Sequence, residues 1–234
     1  MKKRIWELDA LRGILVILMI VIHLVYDGAI LFRVWTLRYP VLFAFSQDWG
    51  GMPFVILAGI CVTLGSHPVK RGLTVIAGGV LCTVATYLCY RWGIGGKGLI
   101  IYFGVLHCIG TCMLLWPLFR KCPTWLLVFL GAVFSLGGLY LVRNVSVSVP
   151  YFIPLGIPSH TFSSSDYFPL LPNFGYFLLG ATVGKTVYRN KETCFPNVSQ
   201  QNLFRRCFSF IGRHSLLIYL LHQPILAGLF YLFP

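Results

Sequence analysis

Residues 8–30, LDALRGILVILMIVIHLVYDGAI, form a long apolar run that is interrupted by Asp9, Arg12, His23 and Asp27. About 20 apolar residues are enough for an α-helix to cross a bilayer. An ionisable side chain within such a run is costly to bury, and it therefore indicates a functional site. The segment predicts a membrane-spanning helix that carries part of a polar site.

The rest of the chain repeats this apolar pattern. Of its 234 residues, 57% are hydrophobic and 11% are charged, whereas a soluble domain carries roughly 25% charged residues. The composition predicts an all-α polytopic integral membrane protein, with residues 1–234 folded as a single helical bundle. Seven membrane-spanning helices are expected, over residues 10–31, 41–65, 72–91, 99–119, 124–142, 169–188 and 211–232. Residues 202–208 predict an amphipathic helix at the membrane surface.

The loop charges orient these spans. Seven spans place the termini on opposite sides, and five of the 19 basic residues then fall opposite the N-terminus. These five are Arg33, Arg38, Arg91, Lys97 and Arg143. The others, Lys2 and Lys3 among them, fall on the N-terminal side, so the positive-inside rule predicts a cytoplasmic N-terminus. We expect a multi-pass protein of the plasma (cytoplasmic) membrane. Its net charge of +13 reflects this topology and contact with membrane lipid. Nucleic-acid binding is not expected, because the basic residues are spread over separate loops.

Three histidines, His23, His107 and His222, each lie within a different predicted span. At 1.5 Å per residue, we expect them ~20, ~18 and ~17 Å from the inner ends of their spans. A shared depth predicts that they form one proton-handling centre in the membrane. The alternative is that each histidine binds a backbone carbonyl between helices, as polar residues in bundles often do.

The polar residues of the first span lie on one stripe. Arg12 and His23 are eleven residues apart, which at ~100° per residue brings them to within ~20° of the same face. Asp27 follows His23 by four residues and is expected to orient its imidazole. Asp9 precedes Arg12 by three residues and is expected to hold its guanidinium. The full stripe favours a functional site over a surface anchor made of Arg12 and Asp9 alone.

The last span carries a second polar group. Ser215 and His222 are seven residues apart and share a helical face, with Gln223 adjacent. We expect them to line the same site, with capping and packing as the alternative. The eight cysteines contain no CxxC pair, and packing is the favoured role for Cys108 and Cys112, so no metal is expected.

Several of these segments resemble one known family. LDALRG at residues 8–13, with Met19 and His23 after it, resembles the opening of the heparan-α-glucosaminide N-acetyltransferase-like family of membrane proteins. The spacing of Arg12 and His23 resembles that of the broader type-three membrane acyltransferases. Further resemblances are FVILAG at 54–59, FGVLH at 103–107, DYFPLLP at 166–172 and GRHSLLIYLLHQP at 212–224. The resemblance covers nearly the whole chain, and its first and last motifs are the most specific.

The resemblance implies acyl transfer across a membrane. Such proteins take an acyl group, typically acetyl, from cytoplasmic acetyl-CoA or another acyl-CoA and deliver it to a hydroxyl or amine of a sugar on the far side. The implied catalytic residues are His23, Asp27, His107, His222 and Asp166. His23 is expected to act as general base or acyl carrier, while Asp27 orients it. His107 and His222 are expected to stabilise the oxyanion or shuttle a proton.

The remaining site residues follow from the same resemblance. The phosphates of the donor require cations, and the expected donor-binding residues are Arg12, Asp9, Arg213 and Ser215. Asp166 is expected to bind or deprotonate the acceptor. The other expected acceptor-binding residues are Gln223, Asp48 and Tyr167. An envelope glycan or another small molecule is the expected acceptor, and self-association into a homo-oligomer is compatible with the sequence.

Two alternatives stay open. A proton-coupled transporter would also use intramembrane histidine and aspartate, but the sequence has no recognisable inverted repeat or paired broken helices. A non-catalytic membrane assembly protein predicts that acyl-CoA does not bind. The sequence departs from the family in one respect that limits the transfer of residue roles. The family has an active-site histidine beyond the first span, and no histidine lies between Gly28 and Tyr39 here.

Overall fold

The computed structural model describes residues 4–147, 150–199 and 201–232. Lys2 and Lys3, which belong to the predicted basic N-terminal side, lie outside these residues. The described chain is all-helical, and its one β-type pairing is an isolated bridge between Phe103 and Tyr167. Five helical segments are long and apolar enough to cross a membrane: Trp6–Leu31, Pro40–Leu64, Pro68–Arg91, Thr124–Asn144 and Ser215–Leu232. The expected class, an all-α integral membrane protein, is confirmed.

The described residues contain nine α-helices and two short 3-10 helices, Lys97–Leu99 and Pro150–Leu155. The α-helices are α1 (Trp6–Tyr26), α2 (Pro40–Trp49), α3 (Met52–Leu64), α4 (Pro68–Arg91), α5 (Val105–Phe119), α6 (Thr124–Asn144), α7 (Leu170–Thr186), α8 (Leu203–Arg213) and α9 (Ser215–Leu232). A π-helical turn, Asp27–Leu31, extends α1. Pro40 and Pro68 begin α2 and α4, where a missing backbone N–H is harmless.

Four predicted span starts differ from the structure by four residues or more. Two of the helices begin earlier than expected, α1 at Trp6 rather than residue 10 and α4 at Pro68 rather than residue 72. The fourth span was expected from residue 99, but α5 begins at Val105, because residues 97–99 form a short 3-10 turn and residues 100–104 are not helical. The seventh was expected from residue 211, but the chain leaves the helix at His214, and residues up to Arg213 belong to α8. The seven crossings and the cytoplasmic N-terminus stay predictions.

The chain divides into two compact units. The terminal unit comprises Met1–Phe54 and Asn190–Pro234, and the central unit comprises Val55–Arg189. In the terminal unit, α8 packs on α1 through two glycines: a Cβ on Gly212 would lie 1.8 Å from the Asp9 carbonyl oxygen, and one on Gly13 would lie 2.2 Å from that of Phe208. The predicted amphipathic helix is therefore present, longer than expected, and its small-residue face lies against α1.

Small residues also let helices approach each other in the central unit. A Cβ on Gly59 of α3 would lie 2.1 Å from the Phe177 carbonyl oxygen, and one on Gly180 of α7 would lie 2.1 Å from that of Ile56. Close backbone approach of this kind is a main source of helix association in lipid. Cys108 and Cys112 are fully buried free thiols in the apolar core of this unit, as their predicted packing role requires.

Candidate functional site

His23 of α1 and His222 of α9 form the centre of the candidate site in the terminal unit. Their ring centroids lie 4.9 Å apart, with the rings nearly perpendicular at 82°. Their contact places the two rings at one level of the terminal unit, and a shared depth in the membrane stays a prediction. The expected ~17 Å from the start of the helix to His222 is wrong, because α9 begins at Ser215 and places His222 ~10 Å into it.

Backbone carbonyls fix which ring nitrogen of each histidine carries a proton. Nδ1 of His23 lies 2.8 Å from the Met19 carbonyl oxygen, and Nδ1 of His222 lies 2.6 Å from that of Tyr219. Since a carbonyl oxygen accepts and never donates, Nδ1 carries the hydrogen in the neutral form of both rings. The Nε2 lone pair of each histidine is then available to accept a proton.

Asp27 is bound by Gln223 rather than by His23. The Gln223 Nε2 donates to both carboxylate oxygens of Asp27, at 3.0 and 2.9 Å. The Asp27 side chain is completely buried at the start of the π-helical turn. No hydrogen bond joins His23 to Asp27 within the described ranges, so the predicted orientation of the imidazole by that carboxylate is wrong. The Met19 carbonyl, one turn before His23, orients the ring instead.

Two adjacent residues of α9 present buried acceptor atoms. His222 Nε2 and Gln223 Oε1 have no hydrogen-bond partner in the described part of the chain. An unsatisfied buried polar atom costs about 1–3 kcal/mol, so it calls for an explanation such as an absent ligand or solvent molecule. The chemistry of these two atoms, both acceptors, fits a ligand that donates O–H or N–H hydrogen bonds.

The π-helical turn that begins at Asp27 is covered by the residues that follow it. Gly28 accepts backbone hydrogen bonds from Val34 (2.7 Å) and Trp35 (3.3 Å), so the chain folds back over the end of α1. A Cβ on Gly28 would lie 1.9 Å from the Trp35 indole, so glycine is required for this closure. The Trp35 ring also lies 5.5 Å from that of Phe230 on α9. π-Helical turns are frequent at functional sites.

The expected donor-binding residues near the start of α1 are largely engaged in local contacts. Arg12 Nη1 lies 3.2 Å from Asp9 Oδ1, which confirms the predicted pairing of the two. Arg213 Nε donates to the Ser209 carbonyl at 3.0 Å. Ser215 is the first residue of α9 and is half-buried. Their binding of a donor stays a prediction.

His107 and Asp166 meet in the central unit at the start of α5. Asp166 Oδ2 accepts the Val105 backbone N–H at 3.1 Å, and His107 Nδ1 accepts that of Gly104 at 3.3 Å. Both side chains thus cap the helix start, where N–H groups lack helical partners. α5 begins two residues before His107, so the helical stretch expected before it is absent, while the twelve residues that follow it, up to Phe119, keep the expected ~18 Å to the inner end. The depth of His107 in the membrane stays a prediction. The Nδ1 of His107 accepts, so its proton sits on Nε2, the reverse of His23 and His222.

Tyr167 and Asp48, the two remaining residues that are expected to bind the acceptor, lie in different surroundings. The Tyr167 hydroxyl donates to the Ile153 carbonyl at 2.7 Å, and burial raises its pKa to about 12. Asp48 is exposed on α2. Within the described residues, no cluster of three or more His, Cys, Asp or Glu side chains is placed to hold a metal ion.

The sequence suggested carbonyls of neighbouring helices as alternative partners of the histidines, but it missed that carbonyls of the same helix set the tautomers of His23 and His222. Their signal was the offset of four residues from Met19 to His23 and of three from Tyr219 to His222, which places a carbonyl within reach of each ring. It also missed the pairing of Asp27 with Gln223, since 196 residues separate them. Asp27 and Gln223 were each predicted to be site residues, Asp27 on the polar stripe of the first span and Gln223 next to His222 in the last span.

A sequence model described as heparan-alpha-glucosaminide N-acetyltransferase, catalytic, matches residues 4–224 of the chain. The match includes His23, His222, Asp27, Gln223 and the whole central unit. No curated protein and no solved structure gives a significant match.

Proposed function

The chain belongs to the heparan-alpha-glucosaminide N-acetyltransferase catalytic family, a family of membrane acetyltransferases, and from this we propose that it moves an acetyl group from cytoplasmic acetyl-CoA to an extracytoplasmic acceptor. The acceptor is a hydroxyl or amine, best matched by a sugar of an envelope glycan. The observation that carries the proposal is the contacting pair His23 and His222, each with Nδ1 held by a carbonyl and Nε2 left to accept a proton.

Acyl transfer needs a base for the attacking group. The acceptor O–H or N–H donates its proton to Nε2 of His23 as its oxygen or nitrogen attacks the thioester carbonyl. The C–S bond breaks, the acyl group stays on the acceptor, and the proton on Nε2 passes to the leaving sulfur. General bases of this type contribute about 10²- to 10⁴-fold to a rate. His23 is the better candidate for this base because its side chain is half-buried, whereas His222 is buried.

The neighbouring residues support that step. The Asp27 carboxylate lies one turn beyond His23 and stabilises the imidazolium that forms, at a distance longer than a direct hydrogen bond. Gln223 holds the carboxylate through its Nε2. Its Oε1 and the Nε2 of His222, both buried acceptors, bind donor hydrogens of the acceptor molecule.

The test uses the purified protein in detergent with radiolabelled acetyl-CoA and a panel of amine and sugar acceptors. We expect binding, acceptor-dependent transfer and a fall in transfer of about 10²- to 10⁴-fold in His23→Asn. His214→Asn is the matched control, because His214 is exposed and its Nδ1 also contacts a backbone carbonyl four residues earlier, that of Phe210.

Three results separate the alternatives. Label that stays on wild-type protein but not on His23→Asn indicates an acyl-histidine intermediate instead of general-base catalysis. Absence of acetyl-CoA binding would sink the enzyme proposal and favour a transporter or an assembly protein. Equal transfer rates in His23→Asn and His214→Asn would show that another residue is the general base.

A further inference from the structure

A basic cavity opens in the central unit, between the start of α4 and the end of α5. Its volume is about 820 Å³, within the range of roughly 300–1,000 Å³ that is usual for small-molecule sites. The cationic and titratable side chains in its wall are His67, Lys70, Arg120 and Lys121. The apolar part of the wall is formed by Val69, Leu73 and Pro117.

A second cavity continues the first. It has a volume of about 460 Å³, shares Arg120 and Lys121 with its neighbour, and adds Lys185 of α7. Lys185 Nζ donates to the carbonyls of Arg120 (3.2 Å) and Cys122 (2.6 Å), so it holds the segment that follows α5. The basic residues after α5 are therefore anchored to a neighbouring helix.

Within the central unit, the positive charge of this cavity has no nearby acidic counterpart. Asp166 is the sole acidic residue in the sequence from 55 to 189, and it caps the opposite end of α5. The helix separates the two ends by ~20 Å, well beyond the screening distance of about 8 Å in physiological salt. The ion pairs of the described residues involve Asp9, in the terminal unit. The cavity is thus suited to an anion.

We propose that this cavity binds the phosphate-bearing nucleotide end of the acyl-CoA donor, an inference that rests on the proposed function. Lys70, Arg120 and Lys121 pair with the phosphates, for which lysine and arginine supply charge-assisted hydrogen bonds. The wall of Val69 and Leu73 packs against the adenine ring. The positive-inside rule predicts this end of α4 and α5 to be cytoplasmic, the side from which acyl-CoA comes.

This assignment replaces Arg12 and Arg213 as the principal phosphate ligands. Arg12 is paired with Asp9, and Arg213 Nε is bonded to the Ser209 carbonyl. Anionic lipid headgroups carry the same phosphate chemistry as a nucleotide. The apolar residues Val69, Leu73 and Pro117 beside the cations favour the nucleotide, because an adenine ring packs on apolar side chains whereas a headgroup needs only basic charge.

The test measures binding of 3′,5′-ADP, which is the nucleotide end of coenzyme A, to the full chain in phosphatidylcholine nanodiscs. We expect binding that weakens about tenfold or more in the double variant Arg120→Gln/Lys121→Gln. The matched control is Arg91→Gln/Lys97→Gln, which removes two exposed basic residues outside the cavity. Thermal unfolding of each variant verifies the fold.

Each possible result supports or overturns the assignment of the basic cavity to the donor nucleotide. Equal binding by the two double variants, or no binding of 3′,5′-ADP, overturns the inference. Loss of 3′,5′-ADP binding when phosphatidylglycerol is added to the nanodiscs assigns the cavity to lipid and also overturns it. Acetyl transfer with an unchanged KM for acetyl-CoA in Arg120→Gln/Lys121→Gln overturns the assignment of the cavity to the donor but does not contradict the proposed function. Specific 3′,5′-ADP binding without any acetyl transfer supports a nucleotide site and contradicts the proposed function.

Discussion

Gln223 of α9 donates from its Nε2 to both carboxylate oxygens of Asp27 at the end of α1. The two residues are far apart in the sequence, and Asp27 is completely buried. A buried carboxylate is stable only where hydrogen bonds replace its water. This contact therefore ties α9 to the π-helical turn and holds the polar site together.

We expect Asp27 and Gln223 to be energetically coupled. Hydrogen bonds to a charged group contribute about 1.5–3 kcal/mol, so Asp27→Ala and Gln223→Ala should each lower stability, and their double variant should lose less than the sum. Thermal and denaturant unfolding in detergent measures the double-mutant cycle. Asp48→Ala, which removes an exposed acid of the same unit, should be additive with Gln223→Ala. Additivity between Asp27→Ala and Gln223→Ala would contradict the coupling.

The sequence predicts the helices and the members of the site better than it predicts their contacts. Apolar runs of about 20 residues reveal the membrane helices, and helical periodicity places Arg12, His23 and Asp27 on one stripe. The contact between Asp27 and Gln223 depends on how α9 docks against α1, which no local pattern encodes. The break at His214 was missed although the polar residues Arg213, His214 and Ser215 interrupt the apolar run there.

The cap formed by Asp166 gives a second prediction. Asp166→Ala should destabilise the protein by about 1 kcal/mol, because the Val105 N–H at the start of α5 loses its acceptor. Asp166→Asn should keep most of that stability, since an amide oxygen also accepts. Thermal unfolding compares both with Ser163→Ala, a change of an exposed residue in the same loop.

Acetyl transfer separates the capping role of Asp166 from a chemical one. If the carboxylate deprotonates the acceptor, Asp166→Asn should fold normally yet lose transfer activity. Normal transfer by Asp166→Asn would contradict the predicted role in the chemistry and leave the helix cap as its function.

The glycine contacts of the central unit give a third prediction. Gly180→Leu should prevent α7 from packing on α3, because even a Cβ there would lie 2.1 Å from the Ile56 carbonyl oxygen. Forced expansion of a packed interface costs about 1–3 kcal/mol or more. Gly137→Leu on α6 is the control, since a Cβ at Gly137 meets no atom within 4 Å. Similar yield and thermal stability of the two variants in detergent would show that the close approach is unimportant.

The predicted orientation of the chain can be tested through its exposed cysteines. Cys194 and Cys207 are both exposed free thiols, and the positive-inside rule predicts that they face the cytoplasm. A membrane-impermeant maleimide added to intact cells should therefore leave them unlabelled, and permeabilised cells should give labelling that Cys194→Ser/Cys207→Ser removes. Ser163→Cys, introduced into that double variant at an exposed position predicted to be extracytoplasmic, should be labelled in intact cells. Labelling of Cys194 and Cys207 but not of Ser163→Cys from outside would reverse the orientation. It would also place the basic cavity on the side of the membrane that acyl-CoA does not reach, so one labelling experiment tests the topology on which both proposals depend.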